Sequence, residues 1–408
     1  MISVQNVFRK IFAGLLLLSL ISFSASAQVR VSKAAADKNP TLLFKGVMGD
    51  QQLSIQVSSD LKNCGWFDLV SSGAADYVIS GTASGQSLTL SVYNGAGAPL
   101  SSVTASSEAA ELLSHKAVDG VLNKTFGIDG ICCSRIAFVT ELKKGIKEIY
   151  ICDFDGKNIK RATTNNTLSV EPDWMPNGKA LVYTVYNPSN TDIAQIDLAG
   201  NRSRRLVQYP GLNSCGSVSP SGSAIALILS LENRVDLYVK SIEGRGLRRL
   251  TNNISVEASP TWAPNGSQIC FVSDASGRPK LYTVSPNGGP VKALASEGSE
   301  SVEPCWSKDN KIVYSAKIGG SYSLAVLDLS GKPASDARAQ TPEGIINTSV
   351  GGEWHSPHWA PDNRHVVCSN ISGRKGTIYV VDTWTGKARI LVSGSMDLSL
   401  PCWSGIYY

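Results

Sequence analysis

Residues Ser255–Leu294 read SVEASPTWAPNGSQICFVSDASGRPKLYTVSPNGGPVKAL, and this stretch decides the architecture of the chain. It breaks into four short runs. The first holds Pro260–Thr261–Trp262. The turn Ala263–Pro264–Asn265–Gly266 follows, where Pro sets φ and Gly admits φ > 0. Gln268–Ser273 and Lys280–Val284 come next, and after Asn287–Gly288 the last run is Val291–Leu294. Each run is rich in Val, Ile, Tyr or Phe and bounded by Gly, Pro, Asn or Ser, which predicts four β-strands.

The rest of the C-terminal part repeats this unit. Positions equivalent to Trp262 are Trp174, Val218, Trp306, Trp359 and Trp403, at successive spacings of 44, 44, 44, 53 and 44 residues. The longer interval has its excess near Asp336–Glu353, predicted as a longer surface loop. The second strand recurs at Ile136, Leu181, Ile225, Ile312 and Val366, and the turn glycine at Gly156, Gly200, Gly244, Gly331 and Gly386. Four strands at this period predict the blade of a β-propeller.

The ends set the blade number. Arg135–Thr163 has only strands two to four, and Leu398–Ser404 has only strand one. Joined, they complete a six-bladed ring whose C-terminal strand closes the first blade and removes free sheet edges. An open solenoid would leave that complementarity without a reason. The repeated Trp is a large apolar plate suited to the wedge between blades. Val218 is smaller, so neighbours must fill its junction.

Ahead of the propeller the pattern changes. Arg9–Lys10, the apolar run Ile11–Phe23 and Ala25–Ser26–Ala27 form a signal peptide, predicted to end at residue 27; an uncleaved anchor is the alternative. The mature chain then opens on an unpatterned arm, Gln28–Asn39. Asp50 is placed to cap a helix to Asn63, with Leu53, Val57, Leu61 and Cys64 on one face. A second helix is predicted over Glu108–Phe126. Short strands are expected at Thr41–Phe44, Phe67–Val70, Tyr77–Ser80, Leu88–Tyr93 and Leu100–Ala105. The expected fold is therefore mainly β: a small α/β domain (28–130), two helices on one side of a sheet, followed by a six-bladed β-propeller (131–408).

Charge excludes one class of partner. The chain carries 38 Lys and Arg against 33 Asp and Glu. Without Arg9 and Lys10 the balance is 36 − 33 = +3, too mild and dispersed for a nucleic-acid surface. Of the nine Cys, Cys270 and Cys368 sit in apolar strands, Cys305 and Cys402 precede a blade Trp, and Cys132–Cys133 lie at the domain junction. This spacing suits packing better than a disulfide framework, with room for one disulfide, and lacks a paired zinc pattern.

Catalytic motifs are missing: no G-x-S-x-G, H-E-x-x-H, Walker A or G-x-G-x-x-G occurs. His355 and His358, beside Glu353, would need ligands from across the axis to hold a metal. Glu171, Glu257, Glu303 and Glu353 begin inner strands, a position expected at the mouth of the axial channel. There they would bind a cation or a basic partner, or form a solvated rim. The expectation is no catalytic residue, no cofactor and no metal.

The sequence resembles the TolB family, the periplasmic component of the Tol–Pal system. SDASGRPKLYTVSPNGGPVKAL (Ser273–Leu294), the EP-x-W and SP-x-W repeats, SSDLKNCGWFDLV (Ser58–Val70) and GIDGICCSRIAFV (Gly127–Val139) carry the likeness. The resemblance implies a non-enzymatic periplasmic adaptor, monomeric and membrane-associated only through its partners. It would support outer-membrane integrity and constriction during cell division. It implies that Gln28, Val29, Arg30 and Val31 of the arm contact TolA, by strand addition. It implies that the lipoprotein Pal meets one propeller face through Leu212, Asn213, Ser214, Cys215, Val256, Glu257, Ala258 and Ser259, with Glu171 and Glu303 at matching places. The chain departs from the family at Leu212, where His is frequent, and at Ser259, where Glu is. The alternative is a metal- or glycan-binding propeller, or a propeller enzyme, using the axial channel.

Overall fold

The computed structural model describes residues 38–330, 344–373 and 375–406. The predicted signal peptide, nearly all of the arm including Gln28–Val31, and Gly331 and 336–343 of the long interval lie outside the described residues.

The N-terminal part is built on strands β1 (Thr41–Met48), β2 (Asp68–Val70), β3 (Tyr77–Ser84), β4 (Ser87–Asn94) and β5 (Pro99–Ser106), in the order β2-β1-β3-β4-β5. Helices α1 (Gln51–Asn63) and α2 (Ala110–Phe126) are the two expected from the sequence. Asp50 caps α1 by accepting the Leu53 N–H at 2.9 Å, satisfying one of the orphan donors of the first turn. The second helix starts two residues later than expected. Leu42, Ile79, Leu88, Leu90 and Val92 are fully buried in one core with Leu53, Val57, Leu61, Ala117, Val121 and Leu122. The opposite sheet face carries hydroxyl pairs such as Thr89–Thr104 (2.8 Å), which tolerate water.

The remaining strands form six radial sheets. Five start with an inner strand: Ser169–Trp174, Asn213–Val218, Glu257–Trp262, Ser301–Trp306 and Glu353–Trp359. The sixth is the shared blade: Leu398–Trp403 pairs antiparallel with Arg135–Lys143, which continues into Ile146–Asp153 and Lys160–Arg161. Leu398 faces Thr140 and Trp403 faces Ile136, the closure read from the sequence. Among the described residues, one blade departs from the expected four strands. Ser301–Trp306, Lys311–Ile318 and Ser321–Asp328 form a three-stranded sheet, extended by a single bridge between Ala325 and Ile345.

Turn chemistry explains why the blades are interchangeable. The turn after the inner strand places Gly178, Gly222 and Gly266 at φ of 65°, 72° and 70°. Asn310 and Asn363 do the same job at 65° and 55°. Asn is the other side chain that tolerates this region, through local hydrogen bonding. Trp174, Trp262 and Trp359 are buried in the clusters between blades and Trp403 in the core shared with the α/β part, so their role is packing. Val218 is buried beside Met175, Tyr209 and Tyr238, which fill the space its smaller side chain leaves. Cys270 and Cys368 pack as small hydrophobes, and all nine thiols are free. No helix among the described residues is long and apolar enough to cross a membrane.

The α/β part sits on the propeller face that carries the first-to-second and third-to-fourth strand turns, here called the base. Arg364 is its anchor, 1% exposed. Its guanidinium lies 4.6 Å from the rings of both Trp66 and Trp384. It donates to Asp382 through Nε (3.0 Å) and Nη2 (2.5 Å), and to Asn39 Oδ1 at 2.5 Å. Trp66 Nε1 donates to Asp362 at 3.0 Å, whose carboxylate also holds His365 at 2.6 Å. One core cluster runs through both parts, from Leu42 to Trp403.

Candidate partner face and axial channel

Each inner strand carries the same interruption. The ladder to the second strand skips two residues: Glu171–Pro172, Cys215–Gly216, Ser259–Pro260, Glu303–Pro304, Ser356–Pro357 and Leu400–Pro401. Proline suits such a bulge because it has no N–H to lose from the ladder. The residue before it takes positive φ in every blade: Glu171 55°, Cys215 53°, Ser259 47°, Glu303 54°, Ser356 49° and Leu400 50°. None is glycine. Such positions cost about 1–3 kcal/mol each and persist only where the surroundings over-determine them.

The surroundings here are the next blade. Glu171 accepts the N–H of Cys215 at 2.8 Å, and Glu303 accepts the N–H of Ser356 at 2.7 Å. Within their own blades Glu171 also takes Thr184 Oγ1 (2.7 Å) and Glu303 takes Ser315 Oγ (3.0 Å). The two glutamates stand three blades apart, on opposite sides of the axis. Both act as clasps between blades as well as lining the channel mouth.

The six steps enclose an axial cavity of about 230 Å³. Just inside them lies a second layer, Asp173, Ser217, Thr261, Cys305, His358 and Cys402. Several of these also reach the following blade: Asp173 accepts from Val218 N–H (2.7 Å), Thr261 from Trp306 N–H (3.2 Å) and His358 from Trp403 N–H (3.2 Å).

Electrostatics divide the acids of this region. Burial pushes Glu303 up, but the neighbouring His355, 3.6 Å away, and the Ser356 N–H outweigh it, so its carboxyl is held below the usual range. His355 is raised in turn, chiefly by Glu303, with Glu353 3.8 Å from its other nitrogen. Asp173 is pushed up to about 6 by burial, against the N–H groups of Val218 and Trp174. Glu257 is pushed up to about 7 by burial, with Asn253 and Ser273 its hydrogen-bond partners.

The predicted site residues therefore separate. Glu171, Cys215, Ser259 and Glu303 come together on the axis. Val256 is 53% exposed on the loop entering its blade. Leu212 and Ala258 are half-buried. Asn213, Ser214 and Glu257 are buried, so they can serve a partner surface only by holding its loops. Asn213 does this visibly, donating to Thr191 O and Tyr209 O at 2.7 Å each. Glu257 corrects the sequence reading: it lies two residues before the bulge, so its side chain points into the blade and not to the channel mouth.

Sequence reasoning missed one feature of this face. Among the exposed large apolar side chains, Tyr186, Ile254, Val256, Ile318, Ile371 and Met396 all lie on loops into inner strands or on second-to-third hairpins. That is the face opposite the base. Ile254, 97% exposed in the polar run NNIS, gave no signal because exposure is set by the loop and not by composition.

Comparison with known proteins agrees with this geometry. Residues 122–407 match the family described as the TolB beta propeller domain, more than two thirds of the chain. The chain belongs to this TolB family. A Tol-Pal system protein TolB of Desulfosudis oleivorans is 40% identical over 82 residues, 20% of this chain and 18% of that protein. A Legionella pneumophila TolB is 28% identical over 104 residues, 25% of each chain. The matched stretches thus span about a fifth to a quarter of these curated relatives' length. The crystal structure of TolB from Acinetobacter baumannii superposes with a TM-score of 0.79 at 22% identity, covering 93% of this chain and 98% of that one. The shared TolB fold therefore includes the small α/β part as well as the propeller.

Proposed function

We propose that this chain is a non-enzymatic adaptor of the Tol–Pal envelope system, exported by cleavage of residues 1–27 and acting in the periplasm. In this reading it supports outer-membrane integrity and constriction at division. One observation carries it: the propeller face opposite the α/β part bears six exposed large apolar side chains, Tyr186, Ile254, Val256, Ile318, Ile371 and Met396, whereas Ile159 and Val291 are the exposed ones in turns of the base, where the α/β part docks. Exposed apolar groups gathered on one rim mark a protein-binding surface. The occupant is Pal, met through Val256, Ile254 and the rim of the 131–408 propeller. Glu171, Glu303, Cys215 and Ser259 shape its centre, and Leu212, Asn213, Ser214, Glu257 and Ala258 support the loops. TolA is the partner of the arm at Gln28–Val31, which adds a strand to it.

The test uses the soluble domain of the same organism's Pal in calorimetric titration. Ile254→Asp and Val256→Asp should each weaken binding at least about tenfold, because a charge must then be desolvated, while the melting temperature stays within a degree or two. Deleting Gln28–Lys33 should abolish TolA binding and spare Pal. Equal loss of both partners on that deletion, or unchanged Pal binding in both rim variants, sinks the two-surface reading.

A further inference from the structure

We infer that the axial channel binds a thiophilic divalent transition metal of the Zn²⁺ class through Asp173, His358 and Cys402, and that this ion fastens the closing strand to both neighbouring blades. This goes beyond the adaptor reading and does not depend on it.

The three side chains occupy the same register, one residue before the blade Trp, in three consecutive blades. His358 precedes Trp359, Cys402 precedes Trp403 in the closing strand, and Asp173 precedes Trp174. One ligand atom from each lies within 4.8 Å of the others. Cys402 Sγ is 3.7 Å from Asp173 Oδ1. Tetrahedral zinc with bonds of about 2.3 Å to sulfur and 2.1 Å to oxygen sets those two ligands about 3.6 Å apart. The pair thus already stands at the separation a shared ion needs.

The donor set chooses the metal. One thiolate, one imidazole and one carboxylate suit zinc and its neighbours, whereas calcium and magnesium ask for six or more oxygens. The carboxylate is fixed by Val218 N–H (2.7 Å) on Oδ2 and Trp174 N–H (3.0 Å) on Oδ1. The His358 ring is held at Nδ1, which lies 3.2 Å from Trp403 N in the closing strand and 3.3 Å from Trp359 O, leaving Nε2 as its ligand atom. On binding, the Cys402 thiol releases its proton to channel water; His358 Nε2 gives up its proton to water while Nδ1 takes one and donates it to Trp359 O, 3.3 Å away, and the thiolate, Nε2 and carboxylate lone pairs form the three bonds. Water from the channel takes the fourth position, since all three residues line the axial cavity. No redox change is involved.

The position is what gives the ion a role. Nothing covalent joins Leu398–Trp403 to the strands it completes, and only this strand supplies the sulfur ligand. A metal here cross-links three blades at the ring's one seam.

The experiment uses the mature chain, reduced and stripped with chelator. Cobalt(II) is the optical probe. The expected result is one equivalent bound, a thiolate-to-cobalt charge-transfer band, displacement by zinc, and a melting temperature that rises with zinc. Cys402→Ser should remove the band. His358→Gln and Asp173→Asn should each weaken zinc by at least about tenfold, the lower end of what losing even an outer-shell partner costs. Cys270→Ser, a buried thiol in another cluster, should behave as wild type. Should Cys402→Ser not fold, judged by circular dichroism, the two other ligand variants decide. The proposal is overturned by absence of the band in wild type, by a band that survives Cys402→Ser or disappears in Cys270→Ser, or by unchanged zinc affinity in both His358→Gln and Asp173→Asn.

Discussion

Replacing Arg364 by Met should uncouple the α/β part from the propeller. Arg364 is buried against Trp66 and Trp384 and gives Asp382 two hydrogen bonds. Met keeps much of the apolar stem but leaves the Asp382 carboxylate with only Trp384 N–H and Thr385 Oγ1, both at 2.8 Å. Removing one partner of a buried pair costs about 3–5 kcal/mol, because the remaining charge stays desolvated. A separate route gives a floor. Burial alone would raise Asp382, but the Arg364 hydrogen bond and the nearby charges hold it down at about 2. Against an ordinary value of 3.8 that depression corresponds to roughly 2–3 kcal/mol. Its sign is fixed: a carboxylate with a lowered folded pKa contributes fully above about pH 4, and the contribution fades as pH falls toward 2.

Urea unfolding followed by tryptophan fluorescence is the assay, since two indoles touch the guanidinium. At pH 7 the variant should lose about 3–5 kcal/mol, and its transition should split into two, one for each part. The double variant Arg364→Met with Asp382→Leu should be more stable than the single one, because no orphan charge remains. Wild type should weaken between pH 4 and pH 2 by about 2 kcal/mol from this pair. A cost under about 1 kcal/mol, or strictly additive effects in the double variant, would refute the buried-anchor reasoning.

Two further outcomes follow from the ring. Deleting residues 398–408 removes the buried side chains Leu398, Cys402 and Trp403, worth on the order of 5 kcal/mol or more together. The truncated chain should lose cooperative unfolding, and a synthetic peptide of that segment should restore it; an unchanged melting curve contradicts the shared blade. Ser259→Gly should stabilise by up to about 1 kcal/mol, the reverse of the usual effect of glycine in a strand, because φ is 47° there; destabilisation in a urea titration would show that no strain is stored at that bulge.

Much of the architecture was legible because it repeats. A residue period of 44 with turn signals, and two incomplete units that fit each other, left little choice of topology. Asp50 and the apolar stripe behind it were enough for the first helix. What the sequence hid depends on partners from elsewhere. Arg364 stands in PDNRH, which reads as an exposed turn; its burial comes from Trp66, nearly three hundred residues earlier. The dipeptides Glu171–Pro172 and Ser259–Pro260 show their proline plainly. A residue before proline is normally extended, however, and only crowding around the axis turns these to positive φ. Glu257 and Glu303 look alike in sequence, yet a two-residue difference in register buries one in the blade and aims the other at the channel.

The closing strand also imposes an order on biosynthesis. Arg135 and Ser404, which hydrogen-bond directly, stand 269 positions apart. During synthesis the strand Arg135–Lys143 emerges early and waits with an unpaired edge while five further blades are made. Contacts of that sequence separation form slowly, and a waiting edge invites pairing with other chains. A chain stalled before its last strand would therefore present an unfinished sheet to its surroundings, and the same edge would mark it as incomplete to quality-control factors.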